Sequence, residues 1–349
     1  MRDQRFVILT EGNTHPNPAK LAAGLLRYRP ESVVALLDSQ TAGQDAGSLM
    51  GVGKGIPIVA NLSKAVELSA NTLVLGITPP GGQIPEKWRP ILYEALSQGL
   101  DIISGMHFFL STEPEWKQLA EKNKATIIDL RKVPDDLSVN KCQAPLQSCF
   151  RVHTVGTDCN CGKKVTALEL DTAFRAKGYD SVFVATGQSG IAISGKGMAM
   201  DHVISDFVSG AAEKLVLDNK DHEFLFLEGQ GAITHPLYSG VTLSMLHGFA
   251  PHVCILCHQH DRTIMRGTPS TLVPHIVTAI DLYERLAAPV FPTTVVGIAV
   301  NTFGLDDDQA KRALDKIYIQ TGLPVTDVVR FGPSLLVDAI LSYKSKLKL

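Results

Sequence analysis

The chain is short of several things that would have placed it quickly. It has no apolar run approaching the ~18 residues of a membrane-spanning helix, so no spanning helix is expected. It has no excess of basic residues: Lys and Arg total 33 against 35 Asp and Glu, for a net charge of -2. A nucleic-acid footprint wants a basic patch, and the eleven His do not cluster with Lys and Arg to make one. The apolar stretch near the N-terminus, in MRDQRFVILTEGN, is too short for a secretory signal and reads better as a first strand. The six cysteines are scattered and two share one loop, so free thiols and a reducing, cytoplasmic compartment are expected. Repeats and low-complexity segments are absent, and no GxGxxG follows the first strand-like stretch. The ordinary dinucleotide fingerprint is therefore missing.

What is present is globular in character, with 45% apolar and 19% charged residues. A length of 349 residues suggests two domains, at roughly 150 residues each. The first half alternates strand-like and helix-like segments. Strands are expected at 6–10, 32–37, 57–60, 72–77, 101–104 and 125–130. Asn17-Pro18 is expected to cap and open the first helix, and Asn61 a later one. Such alternation predicts a parallel, doubly wound sheet. Asp38, at the end of the second strand, suits a ribose hydroxyl or an ordinary turn carboxylate.

Residues 133–148 are polar, proline-bearing and aperiodic, and are expected to link the halves. The predicted division is thus a Rossmann-like domain at 1–132, a linker at 133–148 and a P-loop NTPase-like α/β domain at 149–349.

The second half is organised around residues 152–166, VHTVGTDCNCGKKVT. An apolar strand runs into a small-residue turn ending in Gly162-Lys163, and Ala167, Leu170 and Phe174 then mark one helical face. Strand, glycine turn, lysine and helix form a phosphate cradle: backbone N–H groups and the helix N-terminus face the anion, and the lysine adds charge. Gly156, Thr157, Asp158, Cys159, Asn160, Cys161, Gly162, Lys163 and Lys164 are the expected cofactor-binding residues. Two irregularities stand out. Five residues separate Gly156 from Gly162, and Lys164 stands where a Ser or Thr usually holds magnesium.

Further strands are expected at 181–185, 224–227, 253–257, 295–300 and 325–329, each ending in a polar or glycine tail. Ligands of open α/β sheets bind outside the carboxyl ends of the strands, so these tails should ring one site. Glu228 in EGQG stands where P-loop proteins place a magnesium ligand or an activating base. Thr186, Gln188 and Ser189 belong to a donor-rich turn, TGQSG, suited to a carboxylate or a developing oxyanion. Asp206 could reach a metal or an ammonium group, or be a solvated helix carboxylate. His235, Tyr238 and His247 lie in a segment rich in small and polar residues. Each His is a candidate proton carrier or a hydrogen-bonded core residue. Cys254 and Cys257 have zinc-like spacing, but i and i+3 on a strand face opposite ways, so they read as buried thiols. His258, His260 and Arg262 at that strand's end are the better site candidates, His258 and Arg262 for substrate.

The motifs GTDCNCGK, TGQSG, SDFVSGAAE and EGQGAITHPLYSGVTLSMLHG resemble a bacterial and archaeal family long catalogued as a domain of unknown function. Its members have an N-terminal Rossmann-like and a C-terminal P-loop domain, and some are described as D-glutamate N-acetyltransferases. That resemblance spans essentially the whole chain. It implies acetyl transfer from acetyl-CoA to an amino acid, with Glu228 or His235 as base, and a homo-oligomer.

The P-loop half also resembles dethiobiotin synthetase, through GTDxxxGK and the strand-end EG. This second likeness implies ATP as ligand, with Lys163 neutralising phosphate, Glu228 holding magnesium and the cofactor-binding residue Asn301 reading a base edge; if magnesium is used, Asp206 is a further candidate ligand. Lys164 departs from it, because the synthetase has Thr there. The run NTLVLGITPPGGQIPEKWRPILYEALSQGLDIIS resembles one βαβ unit of the CoA-binding domain of acyl-CoA synthetases. A non-catalytic nucleotide-binding regulator is the third possibility that the motifs allow.

Overall fold

The computed structural model describes residues 3–77, 79 and 82–347. The proline–glycine tail expected after the fourth strand falls partly beyond these: Thr78, Pro80 and Gly81 lie outside the described residues. The chain forms two units, one of residues 1–133 with 188–202, the other of residues 134–187 with 203–349.

The first unit is built on six parallel strands: β1 (Phe6–Leu9), β2 (Val33–Leu37), β3 (Ile58–Val59), β4 (Thr72–Leu75), β5 (Asp101–Ser104) and β6 (Ile127–Asp129). Their order is β3-β2-β1-β4-β5-β6, the doubly wound arrangement, with a switch between β1 and β4. The central strands are buried on both faces, and their apolar runs (FVIL, TLVL) have the continuous pattern such strands require.

Helix α1 (Lys20–Tyr28) buries Leu21, Leu25 and Leu26. It starts after Ala19 with no side-chain cap, two residues beyond the expected Asn17-Pro18 opening. The reason is local: the Asn17 N–H donates to His15 Nδ1 and the Ala19 N–H to the His15 carbonyl, so residues 15–19 close a turn first. Asn61 does cap α3 (Leu62–Glu67), accepting from the Lys64 N–H at 3.1 Å. Asp38 is buried at the end of β2. Burial alone would raise its carboxyl, but bonds from Thr14, Gly12 and Gln40 hold it below the usual carboxylate range.

The second unit has its own six-strand parallel sheet: β7 (Phe150–Gly156), β8 (Ser181–Val184), β9 (Phe224–Leu227), β10 (Val253–Gln259), β11 (Thr294–Asn301) and β12 (Val325–Thr326). The order β12-β11-β10-β7-β9-β8 puts β7 between β9 and β10, where the winding direction reverses. One face carries a core of Val155, Cys254, Leu256, Ile298 and Val300 packed on Ile276, Ala279 and Tyr283 of α10 (Ile276–Ala287). Cys254 joins that core, while Cys257 meets Thr166 of α6 (Lys163–Ala176) at 3.5 Å, so the two thiols take different neighbours. All six cysteines are free.

The stretch expected as a linker, residues 133–148, falls from Pro134 onward within this unit. The Lys141, Gln143 and Ala144 N–H groups all donate to the buried carboxylate of Glu213, on α8 (Val208–Leu217).

Candidate functional site

The site grows from the carboxyl end of β7. Gly156 closes that strand, and a Cβ there would stand 2.7 Å from Cys161 Sγ and 3.0 Å from both the Asp158 carbonyl and Lys163 Nζ. The loop therefore folds back over a bare glycine. Asn160 (φ 52°) and Gly162 (φ 111°) take left-handed backbone to make the return, and α6 begins at Lys163. Lys163 is 6% exposed, and its Nζ donates to the Asp158 carbonyl at 2.8 Å. Lys164, half-buried, follows on the first turn. Thr166, the next hydroxyl along, is turned to Cys257.

Asp158 is the hub of the loop. Its buried carboxylate accepts from the Cys159 N–H (2.6 Å), from Arg262 Nη1 (2.8 Å) and from the Arg266 N–H (3.0 Å). Arg262 also donates to the Cys159 carbonyl at 2.7 Å. The chain after β10 is thereby pinned to the phosphate loop. His235 joins the same cluster. Its Nδ1 accepts from the Leu237 N–H (3.2 Å), which puts the hydrogen on Nε2, facing the Arg266 carbonyl at 3.0 Å and Asp158 Oδ1 at 3.4 Å. Both ring nitrogens are thus engaged, and the ring is fully buried.

Asp158, Cys159 and His235 each place an atom within 4.8 Å of the others, the spacing of a metal cluster. Their chemistry fits an ion-pair network better. Arg262 already neutralises the carboxylate, and His235 Nε2 carries a hydrogen where a metal would need a lone pair.

Glu228 ends β9 and is 4% exposed. Its Oε2 accepts from the Thr186 N–H (2.8 Å) and the Gly187 N–H (3.2 Å), and the Thr186 hydroxyl donates to the Glu228 carbonyl (2.9 Å). The donors of the TGQSG turn at Thr186 and Gly187 are therefore spent on Glu228. Gln188 and Ser189 open helix α7 (Gln188–Ser194) and belong to the first unit.

Burial pushes the Glu228 carboxyl up from its usual value, against the pull of Lys164, the two N–H bonds and Lys163. Burial pushes the Lys164 ammonium down, against the opposing pull of Glu228. A half-buried lysine and a buried glutamate thus bear on each other's charge near the loop. Gly229, the next residue, lets the tail of β9 pass close to β7: a Cβ there would lie 1.8 Å from the Thr154 carbonyl.

The remaining expected residues fall as follows. His258 Nδ1 meets the Thr157 hydroxyl at 3.0 Å, and burial, with His260 and Arg262 nearby, lowers its pKa to about 4. Asn301 Oδ1 accepts from the Phe303 N–H, and its carbonyl accepts from the His260 N–H and Gln259 Nε2. Tyr238 is 42% exposed beside the His235 ring, with centroids 4.7 Å apart. His247 bonds the Leu286 carbonyl at 2.8 Å, tying α9 (Ser239–Phe249) to the end of α10. Asp206 is exposed in the turn before α8, and no bond between it and Glu228 is found among the described residues.

Two contributors escaped the sequence. Tyr283 reaches from α10 to bond Gly156 and Ile233, but in sequence it reads only as part of the apolar stripe Ile276, Ala279, Tyr283, Ala287. Arg266 contributes through its backbone, which no residue-type signal reveals.

Comparison with known proteins agrees with this architecture. Residues 139–337 match the family model described as domain of unknown function DUF1611, P-loop domain, and residues 39–133 match its Rossmann-like N-terminal domain. A protein of Tritonibacter scottomollicae named D-glutamate N-acetyltransferase is 38% identical over 92% of this chain and 94% of its own length. One of the same name from a Pseudoalteromonas species is 38% identical over 81% of this chain and 83% of its own. The crystal structure of a DUF1611 family protein from Anabaena variabilis superposes with a TM-score of 0.92 at 38% identity, covering 97% of this chain and 99% of that one. On its phosphate loop, its two parallel sheets and these full-length likenesses, the chain belongs to the DUF1611 family.

Proposed function

We propose that the chain is an N-acetyltransferase that moves an acetyl group from acetyl-CoA to the amine of D-glutamate or a similar D-amino acid. Two relatives of that name, alike over most of their length, support the reading. The observation that carries it within the site is Glu228, a buried carboxylate of raised proton affinity beside an anion cradle with two lysines.

The residues fit the donor's diphosphate. Lys163, Lys164 and the first N–H groups of α6 would hold its oxygens, and Lys164 supplies charge where a magnesium-binding hydroxyl would otherwise stand. Acetyl-CoA supplies a thioester carbonyl. The amine nitrogen bonds to that carbon as the carbon–sulfur bond breaks, the amine loses a proton and the departing thiolate gains one. Glu228 takes the amine proton on Oε1, the oxygen that Thr186 and Gly187 leave clear. Thr186 acts by holding Glu228, and His235 by holding the Arg266 turn against Asp158. Tyr238, part-exposed beside this cluster, is the side chain offered to the acceptor.

The test is a thiol-release assay with acetyl-CoA and D-glutamate, with L-glutamate, chelator, and ATP plus magnesium as separate arms. Thiol release that requires D-glutamate and survives chelation is expected. Release of ADP without any need for CoA would replace this reading with a ligase or kinase of the dethiobiotin synthetase type. Tight nucleotide binding with no turnover would leave a regulator.

A further inference from the structure

The first unit carries a buried cation whose bonding is incomplete. Strands β5 and β6 pair in register as far as Ser104 and Asp129, so the chain leaves both from the same, carboxyl, edge of the sheet. Arg131 follows β6 by two residues and is 5% exposed. Its Nε donates to Asp201 Oδ2 at 3.0 Å, but its Nη1 is buried with no hydrogen-bond partner among the described residues. Asp129, the acidic residue nearest in sequence, turns its two oxygens to the Leu110 and Ser111 N–H groups instead. A buried guanidinium N–H left unbonded is costly, and native proteins rarely leave one without a reason.

Two imidazoles share this neighbourhood. His107, on the segment leaving β5, is exposed and packs on Gly82, where a Cβ would come within 2.6 Å of the ring. Its ring centroid is 6.4 Å from that of His202, which neighbours Asp201 in the chain segment that the first unit takes from between β8 and β9. After burial, the charges of Arg131, Asp201 and His202 are what bear on His107, so the four groups form one electrostatic cluster. A planar guanidinium with a free donor, flanked by imidazoles at the carboxyl edge of a parallel sheet, is an arrangement for an oxyanion.

We propose that the first unit has an oxyanion-binding site in which Arg131 Nη1, His107 and His202 receive a phosphate or carboxylate group of a small molecule. The residues of this site all belong to the first unit, and the proposal does not depend on the reaction assigned to the phosphate loop.

The test uses the full chain with isotope-labelled histidine and follows the imidazole resonances by NMR. His107→Asn and His202→Asn assign the two rings, and Lys163→Ala disables the phosphate loop. Inorganic phosphate, coenzyme A and D-glutamate are titrated separately. Saturable movement of both rings with phosphate or coenzyme A identifies a phosphate ligand, and movement with D-glutamate alone identifies a carboxylate. Arg131→Lys, checked for folding by its melt, should weaken that binding about tenfold or more by losing the fork. Asp201→Asn, which leaves the guanidinium charge uncompensated, should tighten it. Rings that none of the three probes moves at millimolar concentration would overturn the proposal, as would Asp201→Asn weakening the binding.

Discussion

The Tyr283 hydroxyl donates to the carbonyl of Gly156 at 2.8 Å, so a residue of α10 fixes the point where β7 turns into the phosphate loop. The same oxygen accepts from the Ile233 N–H at 3.0 Å, which ties the segment after Glu228 to that point. Tyr283→Phe keeps the ring in the core and takes the hydroxyl from the Gly156 carbonyl and the Ile233 N–H. A cost of ~1–3 kcal/mol is expected. The thermal melt should fall by several degrees, and steady-state kinetics should show KM for the acetyl donor rising more than kcat falls.

Glu228→Gln separates chemistry from folding. The amide can still accept from the Thr186 and Gly187 N–H groups, but it cannot take a proton. Loss of a positioned base is expected to lower kcat by ~10²–10⁴, with donor affinity nearly unchanged. Because the folded protein holds the Glu228 proton more tightly than the unfolded chain does, the ionised carboxylate detracts from stability once pH exceeds the unfolded value. The variant should therefore melt no lower than the parent at neutral pH. In the parent, activity should fall with acid through an apparent pKa above the ordinary glutamate range. A pH–rate profile together with melts of both proteins checks all of these.

On the proposed reading, Lys164 takes the place of a metal at the loop. Replacing it with Thr gives the loop a hydroxyl where magnesium-using loops have one, and removes a charge. Coenzyme A should bind the parent equally well with and without chelator. Lys164→Thr should bind it about tenfold more weakly, the loss of one charge-assisted contact. Calorimetry with and without magnesium measures both, and chelator-sensitive binding by the parent would count against the role given to Lys164.

Acid should destabilise the second unit through three buried imidazoles. Burial lowers the pKa of His153 to about 4, of His258 to about 4 and of His252 to about 3. Each is neutral in the folded protein, while the unfolded chain takes up the proton near pH 6.5. In that window the unfolded state binds more protons, so the stability these groups contribute is present above pH ~6.5 and is lost as pH falls toward 4. Denaturant melts across this range should show it, and His252→Asn should flatten the dependence.

The phosphate loop was legible because its chemistry is local: glycine, lysine and an apolar strand within fifteen residues. The strand ends carrying Thr186, Glu228, His258 and Asn301 were legible for a similar reason, since an apolar run followed by polar residues marks the carboxyl edge of a parallel sheet. What those residues bond to was hidden. Nothing in TGQSG announces that the Thr186 and Gly187 N–H groups serve Glu228, and His235 looks like a proton carrier until Leu237 and Arg266 are seen on either side of its ring. Arg131 and Asp201 lie 70 positions apart, too far for any local pattern to join them.

The first unit takes residues 188–202 from between β8 and β9 of the second, so the chain passes between the units three times: after 133, after 187 and after 202. No single cleavage yields either unit whole. A fragment ending at 133 lacks Asp201 and His202, and a fragment beginning at 134 carries a stretch that belongs to the other unit. Genetic exchange that swapped one unit for another would have to break and rejoin the chain at all three places.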